Sequence, residues 1–279
     1  VSCSVKHKKT FDYIFNKTEA ITLEQSKLTL SKDITVLSFS DSSMVDRNSS
    51  IIKVDSGWIV YSKNSESSIL SFTSDGQFSG YIGHRGNGPG EYTSVYDVVV
   101  NQKSKVLEVL SDGGIFCYTF GGDFLDKKEV TYPAFSFAID DRQNYWFYVG
   151  NNTTYGDAKM ICTDENIANV AYYLHQKSNM LPMVENNFGR NGEWLTFHES
   201  LNHDLYTIEN GKLDLSYAMD FPNYKLPKKL HELSGMEVIE ELQRSNYASI
   251  INYLENHDYI FLNAVSYTHL RAHETRGNL

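Results

Sequence analysis

No run of about 18 consecutive apolar residues occurs in this sequence, so no segment has the length to cross a bilayer as a helix. Basic residues are outnumbered, 25 Lys and Arg against 35 Asp and Glu, for a net charge of −10. Binding to a phosphate backbone needs clustered Lys and Arg, so this balance argues against a nucleic-acid partner. Three cysteines supply no disulfide framework. Two of them, Cys117 in "GIFCYTF" and Cys162 in "KMICT", sit in alternating, strand-like runs and read as buried thiols. Proline is scarce, at 5 residues, whereas Tyr and Phe number 19 and 15. Aromatic side chains fit pleated, half-buried surfaces, so the bias favours strands. The hydrophobic fraction of 41% is enough for a packed core, and 22% charged residues give no case for disorder. A chain of 279 residues can be one large all-β domain or two average ones.

What the sequence does contain is an internal repeat. The segment 50–83 reads as four short strands with turns at "DSG", "NSES" and "SDG". The plan recurs over 94–130, 134–175 and 186–221, and a fifth copy begins at "SIINYLENHDYIFLNAV". Each second strand opens on a bulky residue: Trp58, Val106, Tyr145, Trp194 and Tyr259. The first three intervals are 48, 39 and 49 residues, close to the roughly 40–50 residues of a propeller blade. Asp-Gly, Gly-Gly and Asn-Gly turns supply the positive-φ positions of tight hairpins. Four-stranded units of this kind cannot cover both faces alone, and radial stacking buries them. The expected fold is all-β, a β-propeller of four-stranded antiparallel blades. A β-sandwich is the competing architecture, but it needs no four-strand period. Between the fourth and fifth units, "YKLPKKLHELSGMEVIEELQRSNY" places Ser234 and Glu237 at capping-box spacing. Met236, Ile239 and Leu242 then share one face of a short inserted helix.

The stretch "ILSFTSDGQFSGYIGHRGNGPGEY" resembles the blade-closing signature of a six-bladed β-propeller family of exported, often lipid-anchored, bacterial proteins, itself distantly similar to NHL-type propellers. The pattern is matched by Asp75, Gly76, Phe78, Gly83, Gly86, Gly88, Pro89, Gly90, Glu91 and Tyr92. "LTLSKDITVLSFSDSSMVDRNSSIIKV" looks like the segment that leads into the first blade; in the family ring the strand near "ITVLSF" would pair with the last blade, a partner that is absent here on this reading. The resemblance implies a fold and no particular reaction. Six blades need more chain than the four and a half visible here, which makes the sequence a fragment on this reading. "VSCS" before a polar stretch resembles the end of a bacterial lipoprotein signal, with Cys3 as the lipidated residue. "VSYTHLRAHETRGNL" resembles translated adapter or vector sequence; His269 and His273 in it have i, i+4 spacing but no acidic residue to complete a metal site. The domain plan is a linker over 1–24, an incomplete propeller over 25–265 and a non-native tail over 266–279.

The glycine-rich loop is not a nucleotide motif: Gly86, Gly88 and Gly90 give G-x-G-x-G, and a strand follows. It reads as a backbone corner stiffened by Pro89, with a ligand-contacting rim as the sharper alternative. "FHESLNHD" brings His198, Glu199, His203 and Asp204 into one hairpin at a spacing that fits no zinc motif. Asp97 interrupts the apolar strand "VYDVVV" and is the one inward carboxylate that could serve acid–base chemistry. The candidate ligand-binding residues are Arg85, Glu91, Tyr92, Asp97, Tyr155 and His198; no catalytic residue, metal or cofactor is assigned. The expected function is an exported propeller, periplasmic or held at the outer membrane by a lipid at Cys3, acting as a scaffold for a glycan or protein ligand. The alternative is an enzyme on polysaccharides or lactones that uses channel-lining carboxylates. A sensor ectodomain is a third class, and it would need a membrane segment further along the gene.

Overall fold

The computed structural model describes residues 9–11, 34–39, 45, 49–63, 68–152, 156–175, 186–256 and 260–266. Cys3, Tyr155, Tyr259 and the segment 267–279 lie outside them. The chain divides into two compact units, Lys17–Phe137 and Val1–Asn16 with Ala138–Leu279. The fold is all-β, with four four-stranded antiparallel blades of the propeller type, each a meander of consecutive strands.

The first blade runs Ser50–Val54, Gly57–Tyr61, Ile69–Thr73 and Phe78–Ile82. The second runs Asp97–Asn101, Val106–Ser111, Gly114–Tyr118 and Phe124–Lys128. Side chains along a strand alternate between faces, and here both faces are apolar. Ile59 and Tyr61 enter a core with Val98, Leu107, Val109 and Tyr118 of the second blade. Their neighbours Trp58 and Val60 join Leu70 and Phe72 in a separate cluster. Burial of each large aliphatic or aromatic side chain contributes about 1.5–3 kcal/mol, so this shared core is the main force joining the two blades.

The leading segment lies along the first blade's own outer hairpin. Ser38 pairs in parallel with Gln77 of the first blade, and its N–H donates to the Gly76 carbonyl at 2.8 Å. Leu37 packs on the Phe72 cluster, and Phe39 meets the Phe72 ring edge-on at 5.1 Å. A Cβ on Gly76 would stand 2.1 Å from the Val36 carbonyl oxygen, so only glycine admits the approach. "ITVLSF" is therefore spent on the first blade's own outer hairpin. The chain end that joins a later blade is Lys9–Phe11, parallel to the last strand of the fourth blade.

The third blade runs Ser136–Ile139, Tyr145–Tyr148, Ala158–Thr163 and Ala171–His175. The fourth runs Phe188–Asn191, Trp194–His198, Asp204–Glu209 and Lys212–Met219. Trp146, Tyr148, Met160, Leu195 and Phe197 form the core between them. A fifth repeat contributes a hairpin, Ala248–Glu255 with Ile260–Ser266. Ile250 and Tyr253 of that hairpin pack on Leu205 and Phe221.

The inserted helix spans Met236–Arg244. Glu237 reaches back to the Ser234 N–H at 3.4 Å, half of a capping box, while Gly235 supplies the cap conformation at φ 54. The face that docks is not the expected one. Val238 is buried with Leu201, Leu230 and Tyr247, and Leu242 packs on that cluster, whereas Met236 and Ile239 stay exposed. Val238 and Leu242 are four residues apart and stack on one side of the helix; Met236 and Ile239 lie on the flank.

Candidate functional site

The glycine-rich stretch folds as a corner built around Tyr92. His84–Arg85 and Glu91–Tyr92 pair in parallel, the Gly86 N–H donates to the Tyr92 carbonyl at 3.0 Å, and the Gly88 N–H donates to Glu91 Oε2 at 2.8 Å. The Tyr92 side chain is only 1% exposed. Its hydroxyl donates to the Ile82 carbonyl at 3.2 Å and accepts from the Ile69 N–H at 3.3 Å. Tyr118 fastens the far side by donating to the Gly90 carbonyl at 2.9 Å. Gly90 holds φ +75, and a Cβ there would strike the Phe124 ring at 2.6 Å. Tyr92 is thus the buried pillar of the corner and offers no face for ligand stacking. Glu91 is the strut that organises the glycine N–H groups.

Asp97, buried at the start of its strand, is fully committed. Its Oδ1 lies 2.9 Å from Lys63 Nζ, and it accepts from the Val98 N–H at 3.0 Å and from the Tyr61 hydroxyl at 3.4 Å. Its Oδ2 accepts from the Phe137 N–H at 3.1 Å. Burial, then the neighbouring Asp97 charge, hold the Tyr61 hydroxyl well above its ordinary pKa. With a lysine and three further donors around it, this carboxylate acts as an ion-pair latch.

The second unit contains the same device. Glu199 Oε1 accepts from Lys159 Nζ at 2.9 Å and from the Tyr148 hydroxyl at 2.7 Å. Its Oε2 accepts from Lys159 and from Asn202 Nδ2, each at 3.2 Å. Tyr61 ends the second strand of the first blade, and Tyr148 ends the second strand of the third. Each donates to a carboxylate of the following blade that is also paired with a lysine. Among the described residues, no group of three or more His, Cys, Asp or Glu side chains is placed to hold a metal ion. The four polar residues of "FHESLNHD" diverge: Glu199 turns to Lys159, His203 Nε2 meets the Ala248 carbonyl at 3.0 Å, and the Asp204 carboxylate lies 3.4 Å from the Tyr206 hydroxyl. His198 is 1% exposed, and neither ring nitrogen has a hydrogen-bond partner. Burial pushes its pKa down to about 4.

Next to the corner, the structure gathers residues that the sequence did not single out. Asp112, in the turn after the second strand of the second blade, accepts from the Tyr96 hydroxyl at 2.5 Å and from Thr93 Oγ1 at 2.8 Å. These two bonds, Tyr96 first, hold its pKa below the ordinary carboxylate value. Arg85 is exposed, and its Nε donates to the Thr93 carbonyl at 2.9 Å. Thr93 therefore links Arg85, through its backbone, to Asp112, through its hydroxyl. Of the sequence candidates, Arg85 and Glu91 stand at this rim, Tyr92 and Asp97 are buried, and His198 belongs to the other unit.

A family model, "Domain of unknown function (DUF4934)", matches residues 6–275. Among solved structures, the chain is similar to a "Putative exported protein" from Bacteroides fragilis NCTC 9343, with TM-score 0.70 and 16% identity, covering 83% of this chain and 69% of that one. It is also similar to a member of the DUF4221 family from Bacteroides vulgatus ATCC 8482, with TM-score 0.51 and 10% identity, covering 79% of this chain and 71% of that one. Among curated proteins none matches.

Proposed function

The chain belongs to the DUF4934 family, and we propose that it is an exported propeller that works as a binding scaffold for a glycan or protein ligand. The observation that carries this reading is the pairing of the buried carboxylates with lysines. Asp97 and Glu199, the groups best placed for acid–base work, are each paired with a lysine at 2.9 Å and bonded to a tyrosine. Such pairs make the blade ends rigid, and loops on a rigid support are where binding residues usually stand. The ligand-facing residues in this reading are Arg85, Tyr96 and Asp112, which combine a cation, a half-exposed ring and an ionised carboxylate. Glycan recognition uses this mix of planar polar groups with an aromatic face. Export is supported by the description of the Bacteroides fragilis structure, and an anchor at Cys3 and the six-bladed ring belong to the same proposal. An enzyme on polysaccharides or lactones would need a carboxylate free to exchange a proton, and the latches work against it.

Immobilised polysaccharides and surface glycoproteins, probed with the intact chain and with an Arg85→Ala, Tyr96→Ala variant, test the proposal. The expected result is saturable binding to at least one probe, weakened at least tenfold in the variant. Equal binding by both chains, or none to any probe, would contradict it.

A further inference from the structure

The seam between the fourth blade and the hairpin 248–266 holds two buried histidines. His198 ends the second strand of the blade, and backbone groups of Ile250 and Ile251 from the hairpin and of Asn187 lie toward its ring. None of these groups reaches hydrogen-bonding geometry with the ring. His203, in the next turn, meets the Ala248 carbonyl at 3.0 Å and the Phe221 ring at 4.7 Å. Other polar ties cross the seam, among them the Tyr217 hydroxyl, which donates to Glu255 Oε1 at 2.9 Å. Thr196 donates to the Tyr253 carbonyl at 2.8 Å, Ser249 donates to the Ser200 carbonyl at 3.1 Å, and the Ile250 N–H shares that acceptor at 3.3 Å.

We propose that this seam is an acid-labile joint: protonation of His198 and His203 releases the hairpin 248–266 from the fourth blade while the blade itself stays folded. A buried charge needs a partner, or it expels itself. The anions nearby are largely committed elsewhere. Glu199 is held by Lys159, Tyr148 and Asn202. On the hairpin, Glu255 accepts from Tyr217 and Tyr253. Arg190, on the blade's first strand, donates to the Ile139 carbonyl. Asp204 and Asp220 lie toward His203 and favour its charged form, but burial outweighs them.

Burial depresses both histidines in the folded state, His198 to about 4 from the ordinary 6.5. The folded form thus binds fewer protons than the open one. The seam is at full strength above the ordinary value and weakens as pH falls from 6.5 toward about 4. For His198 the opening equilibrium rises by about tenfold per pH unit in that window, and His203 acts in the same direction.

Hydrogen exchange of the full chain at pH 7 and pH 4.5, corrected for intrinsic exchange rates, reads the joint directly. Protection should fall at least tenfold over 248–255 at the lower pH, while 145–148 and 158–163 keep theirs. His198→Phe, which fills the space without a titrating group, should remove most of that acid response. Loss of protection spread evenly over the blade, or an unchanged acid response in H198F, would overturn the proposal. If H198F does not fold, the wild-type imidazole resonances decide: His198 titrating near its ordinary value, with the seam still protected, overturns it equally.

Discussion

Lys159 Nζ and Glu199 Oε1 lie 2.9 Å apart, and both side chains are almost wholly buried. Lys159 comes from the third strand of one blade and Glu199 follows the second strand of the next. Removing one partner leaves an uncompensated charge in a dry site, whereas removing both leaves none. Lys159→Met alone and Glu199→Gln alone should each cost about 3–5 kcal/mol in denaturant unfolding. The double variant should recover at least half of that loss. Additive losses would mean that the two groups do not act as a pair.

The first unit should behave in the same way around Asp97. Asp97→Asn keeps the shape but removes the negative charge 2.9 Å from the Lys63 ammonium, at an expected cost of about 3 kcal/mol. Tyr61→Phe removes two long hydrogen bonds, to Asp97 and to the Val98 carbonyl, and should cost about 1 kcal/mol or less. Chemical denaturation of the two variants checks the order; a larger loss for Tyr61→Phe would place the weight of the latch on the tyrosine.

Two glycines should differ in kind. A Cβ on Gly86 would meet Glu91 Oε2 at 1.9 Å, but that atom is the tip of a side chain that can swing aside. The cost of Gly86→Ala is then the lost Gly88 N–H bond to Glu91, about 1–2 kcal/mol, and Glu91→Ala should add almost nothing to it. A Cβ on Gly57 would meet the Phe72 carbonyl oxygen at 1.9 Å, at φ +152. Backbone cannot move aside so easily, and Gly57→Ala should cost about 3 kcal/mol or more. Double-mutant cycles from thermal melts provide the comparison.

The thiols of Cys117 and Cys162 are buried and have their pKa pushed up to about 12 by burial. The reactive thiolate is therefore almost absent at neutral pH. In a Cys3→Ser background, neither should react with a disulfide reagent at pH 8 in the native protein, and both should react in denaturant. Rapid native labelling of either one would contradict the packing of its strand.

The blade plan was legible because it is written in local signals. Asp-Gly and Gly-Gly turns between apolar runs placed the second strands at Trp58, Val106, Tyr145 and Trp194, within a residue of their observed starts. The latches were not legible, because Glu199 and Lys159 lie 40 residues apart and Asp97 and Tyr61 lie 36 apart. Nothing local to either partner announces the other; the one local hint is a tyrosine that closes the second strand in "GWIVY" and "YWFY". The helix was read from its cap spacing, but its docked face was decided by Leu201, Leu230 and Tyr247, outside the helix. Tyr92 misled for a related reason, since an aromatic beside glycines serves a rim or a pillar equally well until its hydroxyl finds the Ile82 carbonyl.

The most direct measurement is a turnover assay run beside a binding assay on the same sample. The intact chain is incubated with any polysaccharide it retains, and new reducing ends and opened lactones are counted over a day. A scaffold predicts saturable retention, no product above buffer, and no change in either readout for Asp97→Asn at a temperature where that variant stays folded. Product that accumulates with the wild-type chain and disappears with Asp97→Asn would show that the buried carboxylate works as a catalyst, and the scaffold reading would fall.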